Sequence, residues 1–169
     1  MAALHAADSA SPEFVDVFVS GQDGYPNYRI PSLVVTTKGT LLALCEGRTK
    51  NDDHAANDLV LKRSSDGGRT WSAPERILAG PKHEAVTGKL PNVLALPGGM
   101  LALLTAHTKR GCFLHLSRDG SGREWDEAQL ITKVTGGNTS MVSLDASTLL
   151  VFTPANGRIH CWRVTLPSR

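Results

Sequence analysis

Apolar and polar positions along this chain fall into a pattern that occurs three times. Pro31 to Leu44, Pro91 to Leu104 and Thr139 to Phe152 each read as an apolar strand, a tight turn and a second apolar strand. Gly39, Gly99 and Ser147 sit at the same register of the turn. Leu and β-branched residues fill both arms, and turn residues bound them, which predicts paired strands. The apolar runs are continuous rather than alternating, so the strands are expected to be buried on both faces. A third strand follows each pair: Leu59 to Arg63, Phe113 to Leu116, and Arg158 to Val164.

A unit of roughly 40–60 residues holding three or four strands is the sequence mark of a propeller blade. The expected fold is therefore all-β: a partial β-propeller of about three four-stranded blades. After the third strand of the first two units comes a turn of the form S-x-D-x-G-x-T-W, an Asp box. Ser64 to Trp71 fits it closely. Ser117 to Trp125 is degenerate, with one extra residue and Glu124 where Thr belongs. The Asp side chain caps backbone N–H groups, the glycines take positive φ, and the Trp packs between blades. These boxes are structural and lie away from any ligand face. Glu13 to Val19 precedes the first unit and reads as one more strand. It is expected to pair with the last unit near Arg158 to Val164, which would remove an open edge. Residues 1–12 read as a disordered leader, leaving 13–169 as the propeller domain.

Composition narrows the function. The chain has 169 residues and a formal net charge of +2, too small a charge to argue for nucleic acid. No apolar run reaches the length of a membrane span. Residues 1–12 lack the basic and apolar regions of a signal peptide, and the compartment stays open. Cys45, Cys112 and Cys161 are odd in number and widely spaced, so they read as thiols rather than a disulfide framework. The six His lack zinc spacing. No metal and no organic cofactor are expected.

Tyr28-Arg29-Ile30-Pro31, followed by the box Ser64 to Trp71, resembles the first blade of the sialidase (neuraminidase) family, whose members are six-bladed β-propellers. The match is closest from Tyr28 to Trp71. The resemblance implies that Arg29 is one of three arginines gripping a substrate carboxylate, since a guanidinium fork meets a carboxylate in a bidentate pair. The competing reading of Arg29 is an ordinary exposed arginine at a strand end. Arg48, in Glu46-Gly47-Arg48, would lie in the same pocket and help place the ligand and the acid after it. The family's general acid/base Asp lies five residues before the Asp that opens the next strand, here Asp58. That register selects Asp53, with Asp52 as its neighbouring alternative. A solvated polar turn is the competing reading of Asn51-Asp52-Asp53-His54. Arg110 follows a second strand of its blade and is the further candidate for the ligand face.

The resemblance further implies exo-cleavage of terminal sialic acids from glycoconjugates, with a sialylated glycan or other carboxylated sugar as partner. Sialidases use a Tyr nucleophile with a Glu base. This chain has Tyr25 and Tyr28 alone, both before Arg29, and neither stands in the nucleophile's place. From Leu90 onward the chain resembles the last two blades of a sialidase. The expectation is thus a first blade joined to a closing pair, with the catalytic set incomplete. A fragment and a three-plus-three assembly of two chains both fit that reading. So do three functions: a sialidase, a non-catalytic carboxylate-binding propeller piece, and a structural propeller with no sugar site.

Overall fold

The computed structural model of the chain describes residues 14–52, 56–78, 89–107, 110–133 and 138–167. These residues form three antiparallel sheets. The first runs β1 (Asn27–Val35), β2 (Leu41–Arg48), β3 (Asn57–Ser64), β4 (Glu75–Ile77) in simple order. The second repeats it with β5 (Lys89–Ala95), β6 (Leu101–His107), β7 (Gly111–Ser117) and β8 (Gln129–Thr132). The third holds β9 (Ser140–Ser143), β10 (Thr148–Ala155) and β11 (Arg158–Thr165). Each sheet is a blade, and it grows outward from its first strand.

The first strands face one another around a common line. β1 packs beside β5, and β5 beside β9. The backbone amide of Val93 donates to Ser32 Oγ at 3.3 Å, and Asn92 Nδ2 donates to the Thr139 carbonyl at 3.2 Å. Between blades lie two apolar cores. Leu42, Leu44, Leu59 and Leu61 of blade 1 meet Val93, Leu101, Leu103 and Trp125 of blade 2. Ala102, Leu104, Leu114 and Leu116 of blade 2 meet Leu149, Val151 and Val164 of blade 3. β2 and β6 are buried almost throughout, as their continuous apolar runs imply. β1 and β9 instead alternate between half-buried and exposed: their blades have a neighbouring blade on one face only, and the N-terminal segment that covers the second face of β2 at Ala43 and Gly47 leaves Leu33 and Val35 of β1 exposed.

Both boxes form. In the first, the Gly68 amide donates to Ser64 Oγ at 2.9 Å, and the Thr70 amide and hydroxyl donate to the Asp66 carboxylate at 3.0 and 2.6 Å. In the second, the extra residue lets the Ser121 amide donate to Asp119 Oδ1 at 3.0 Å, replacing what Thr supplies in the first.

Two expectations are corrected. Residues 14–19 form no strand and do not pair with β11, which bonds to β10 alone among the described residues. The segment lies against blade 1 instead: the Phe18 ring sits 5.3 Å from that of Tyr28, and Lys62 Nζ is 5.3 Å from the Phe18 ring centre. Val17 and Phe18 are close in sequence to an uncovered apolar flank. Docking there closes a far shorter loop than pairing with the other end of the chain. The third blade, moreover, has three strands among the described residues rather than four.

Candidate functional site

The loops joining second and third strands gather at one end of the blades, and the boxes at the other. Arg29, Arg48 and Arg110 all belong to the first end. Asp53 lies outside the described residues.

Arg29 is positioned by an unusual backbone. The β1–β2 register slips between Arg29 and Ser32, and Ile30 takes φ 56°. A β-branched residue avoids that region, and such strain persists where the surroundings impose it, often at functional sites. The bulge re-aims the strand and keeps Arg29 opposite Glu46. Side chains alternate along a strand and cross-strand partners share a face. Asn27, Arg29, Glu46 and Arg48 therefore sit on the face of blade 1 that looks toward blade 2. Arg29 is exposed. Among the described residues its guanidinium has no hydrogen-bond or ion-pair partner.

Arg48 is different. It is 4% exposed and Glu46 is fully buried; Arg48 Nε donates to Glu46 Oε2 at 2.8 Å. Nη1 donates to the Asp52 carbonyl at 3.3 Å. A buried pair of this kind fixes geometry more than it adds stability. Here it anchors the loop that leads into Asp53. The loop stems are tied as well: the Thr49 amide donates to the Ala56 carbonyl at 3.0 Å, and Asn27 Nδ2 to Asn51 Oδ1 at 2.9 Å. Arg110 stands in the corresponding turn of blade 2, exposed, with its amide bonded to the His107 carbonyl at 3.1 Å.

Sequence reasoning did not find the role of Tyr25. Its hydroxyl donates to Asp58 Oδ2 at 2.8 Å, and its ring lies over Gly47, where a Cβ would come within 2.7 Å of it. Gly47 is thus required by this contact. Burial first, then the Asp58 hydrogen bond and charge, push the Tyr25 phenol up to about 12. A phenol so disposed holds its proton and is a poor nucleophile. It also lies on the face of blade 1 opposite Arg29, since Gly47 and Asp58 pair across strands on that side. Burial likewise raises Tyr28, whose hydroxyl donates to the Gln22 carbonyl at 3.1 Å. Among the described residues no group of three or more His, Cys, Asp and Glu could hold a metal ion.

A sialidase of Micromonospora viridifaciens is 45% identical over 74 residues, covering 43% of this chain and 11% of that protein. Over that stretch the chain is similar to a sialidase. A second sialidase, from Bacteroides fragilis, is 44% identical over 67 residues, or 38% of this chain and 12% of the other. No family model matches the chain. Solved structures agree on the fold: a Hadza microbial sialidase superimposes with TM-score 0.62 and 20% identity, over 85% of this chain and 36% of the other. A family 117 glycoside hydrolase from the marine bacterium Zobellia galactanivorans gives TM-score 0.66 at 13% identity, over 89% and 46%. The chain thus spans about a tenth of the length of these curated relatives and under half of these solved neighbours.

Proposed function

We propose that the chain carries the carboxylate-gripping part of a sialidase-like site, specific for terminal sialic acids. The exposed Arg29 guanidinium, presented at a strained bulge beside a locked ion pair, carries this reading. A cation with no partner among the described residues, on a backbone that resists relaxing, is suited to a bidentate grip on a carboxylate. Arg48 is a positioning residue: it holds Glu46 and the loop carbonyl before Asp53. Asp53 would protonate the departing glycosidic oxygen and later take a proton from water. The likeness to sialidases over part of the chain supports the same reading.

Non-catalytic binding is the second reading, and Tyr25 favours it. Of the two tyrosines in the chain, the one paired with a carboxylate has its proton held more tightly than usual and faces away from Arg29. Two measurements separate the readings: hydrolysis of a fluorogenic sialoside, and calorimetric binding of a non-hydrolysable sialoside. Turnover lost in both Arg29→Ala and Asp53→Ala would establish the hydrolase. Binding that needs Arg29, without turnover, would establish the binding module. Neither turnover nor binding by a folded chain would overturn the proposal.

A further inference from the structure

The last blade carries an apolar flank that the first two blades cover. The turn hydrogen bonds from the Thr36, Leu96 and Leu144 amides to the Thr40, Met100 and Thr148 carbonyls align the three blades residue by residue. In that alignment Phe152 takes the position of Leu44 and Leu104, and Ile159 that of Leu59 and Cys112. Leu44 and Leu104 are 1% and 0% exposed, and Leu59 and Cys112 are 3% and 0%. Phe152 is 47% and Ile159 67% exposed. The pattern of blade 3 is that of a surface made to face another blade.

The opposite flank, on blade 1, has the matching shape. Leu33, Ala43 and Trp71 align with Val93, Leu103 and Trp125 of blade 2. In blade 2 those three receive Leu42 and Leu44 of blade 1. In blade 1 they border an apolar groove of about 350 Å³, shared with Val17 and Phe18 of the N-terminal segment. The cover is partial, for Leu33 and Val35 remain 61% and 53% exposed. By position, the side chain that belongs in this groove is the counterpart of Leu44, which is Phe152.

A polar contact follows the same rule. Arg63 of β3 is paired with Glu75 and donates Nη1 to the Ser121 carbonyl in the box of the next blade. Arg163 holds the Arg63 position in blade 3, exposed and without a partner among the described residues. The box it would reach is that of a blade 1.

We infer that the occupant of both flanks is a second copy of this chain. Blade 3 of each copy docks on blade 1 of the other, Phe152 enters the groove beside Trp71, and Arg163 reaches the box around Gly67. The contact continues an interface the chain already makes twice within itself. It is head-to-tail, so it gives a ring only if the rotation closes. Two copies of three blades each make six, within the four to eight blades of a propeller. The ring also completes the enclosure of the line that β1, β5 and β9 surround in part. This inference does not depend on the sialoside reading.

The test is light scattering on the full chain, with Ile159→Asp on one flank and Leu33→Asp on the other. The wild type should be a dimer, and each variant a monomer at the same concentration. An equimolar mixture of the two variants should regain a weaker dimer, because one of its two contacts pairs two intact flanks. That regain also proves both variants folded. In addition Cys161, exposed on the same flank of blade 3, should lose reactivity toward a thiol reagent as wild-type concentration rises. A monomeric wild type, an open series of larger species, a dimer untouched by either substitution, or a mixture without regain would each overturn the inference.

Discussion

The two Asp boxes share their local chemistry and differ in what surrounds them. In each, the Trp indole donates Nε1 to a glycine carbonyl at 3.0 Å, from Trp71 to Gly68 and from Trp125 to Gly122. Trp125 is 4% exposed in the core between blades 1 and 2, while Trp71 is half-buried beneath Val17 and Phe18. A turn of this kind therefore builds itself from its own residues. The stability it returns depends on whether a blade lies in front of it.

Replacing the two indoles should sharpen the contrast most. Trp125→Ala opens a cavity inside a packed interface and should cost about 3–5 kcal/mol. Trp71→Ala removes a partly covered ring and should cost about 1 kcal/mol. Chemical denaturation of both variants reads the difference. Equal losses would mean that the N-terminal segment covers Trp71 as well as a blade does.

The ligand end should respond on a similar scale. Arg48→Met takes the buried Arg48 guanidinium from the Glu46 carboxylate, and breaking a buried pair typically costs about 3–5 kcal/mol. Arg29→Met, at an exposed guanidinium, should change stability by about 0.5 kcal/mol or less. Thermal melts of the pair separate a residue that builds the site from one that would use it.

Glycines make the comparison finer. Gly67 and Gly120 both have positive φ, 76° and 66°. A Cβ at Gly67 meets nothing within 4 Å, whereas one at Gly120 collides with the Gly99 carbonyl oxygen. Gly67→Ala should cost only the conformational penalty, about 1–2 kcal/mol. Gly120→Ala must also displace backbone of the neighbouring turn and should cost visibly more in the same melts.

What could be read from the chain beforehand divides along the same line between local and neighbour-dependent structure. Strand pairs, turns and both boxes were legible because their determinants lie within a few residues. Arg29, Arg48 and Arg110 fall at one end by strand order alone. The docking of 14–19 was not legible, since the sequence shows an apolar segment but not which flank lies open to it. Nor was the positive φ of Ile30, which a β-branched residue argues against. The burial of the Glu46–Arg48 pair depends on packing beyond β2 itself, and no short motif encodes that wall. Tyr25 gave no signal, because its partner Asp58 is distant in sequence and its seat on Gly47 is a matter of packing.

Acid titration tests the boxes at the smallest scale. Asp66 is held well below its ordinary 3.8, first by the Thr70 hydroxyl and amide and then by Ser64; Asp119 is lowered first by the Ser121 amide. A carboxyl lowered in the folded state gives stability that is fully present above its ordinary value. That stability is lost as pH falls through the lowered one. Both boxes should therefore weaken the fold as the pH drops below about 4. Thr70→Val removes the hydroxyl bond from Asp66 and leaves Asp119 untouched. The variant should be less stable than wild type at neutral pH, and the two should converge as the pH falls, since the lost bond helps only the ionised Asp66. A stability difference that stays constant from neutral pH into acid would show that Thr70 supports the turn through packing, not through the Asp66 carboxylate.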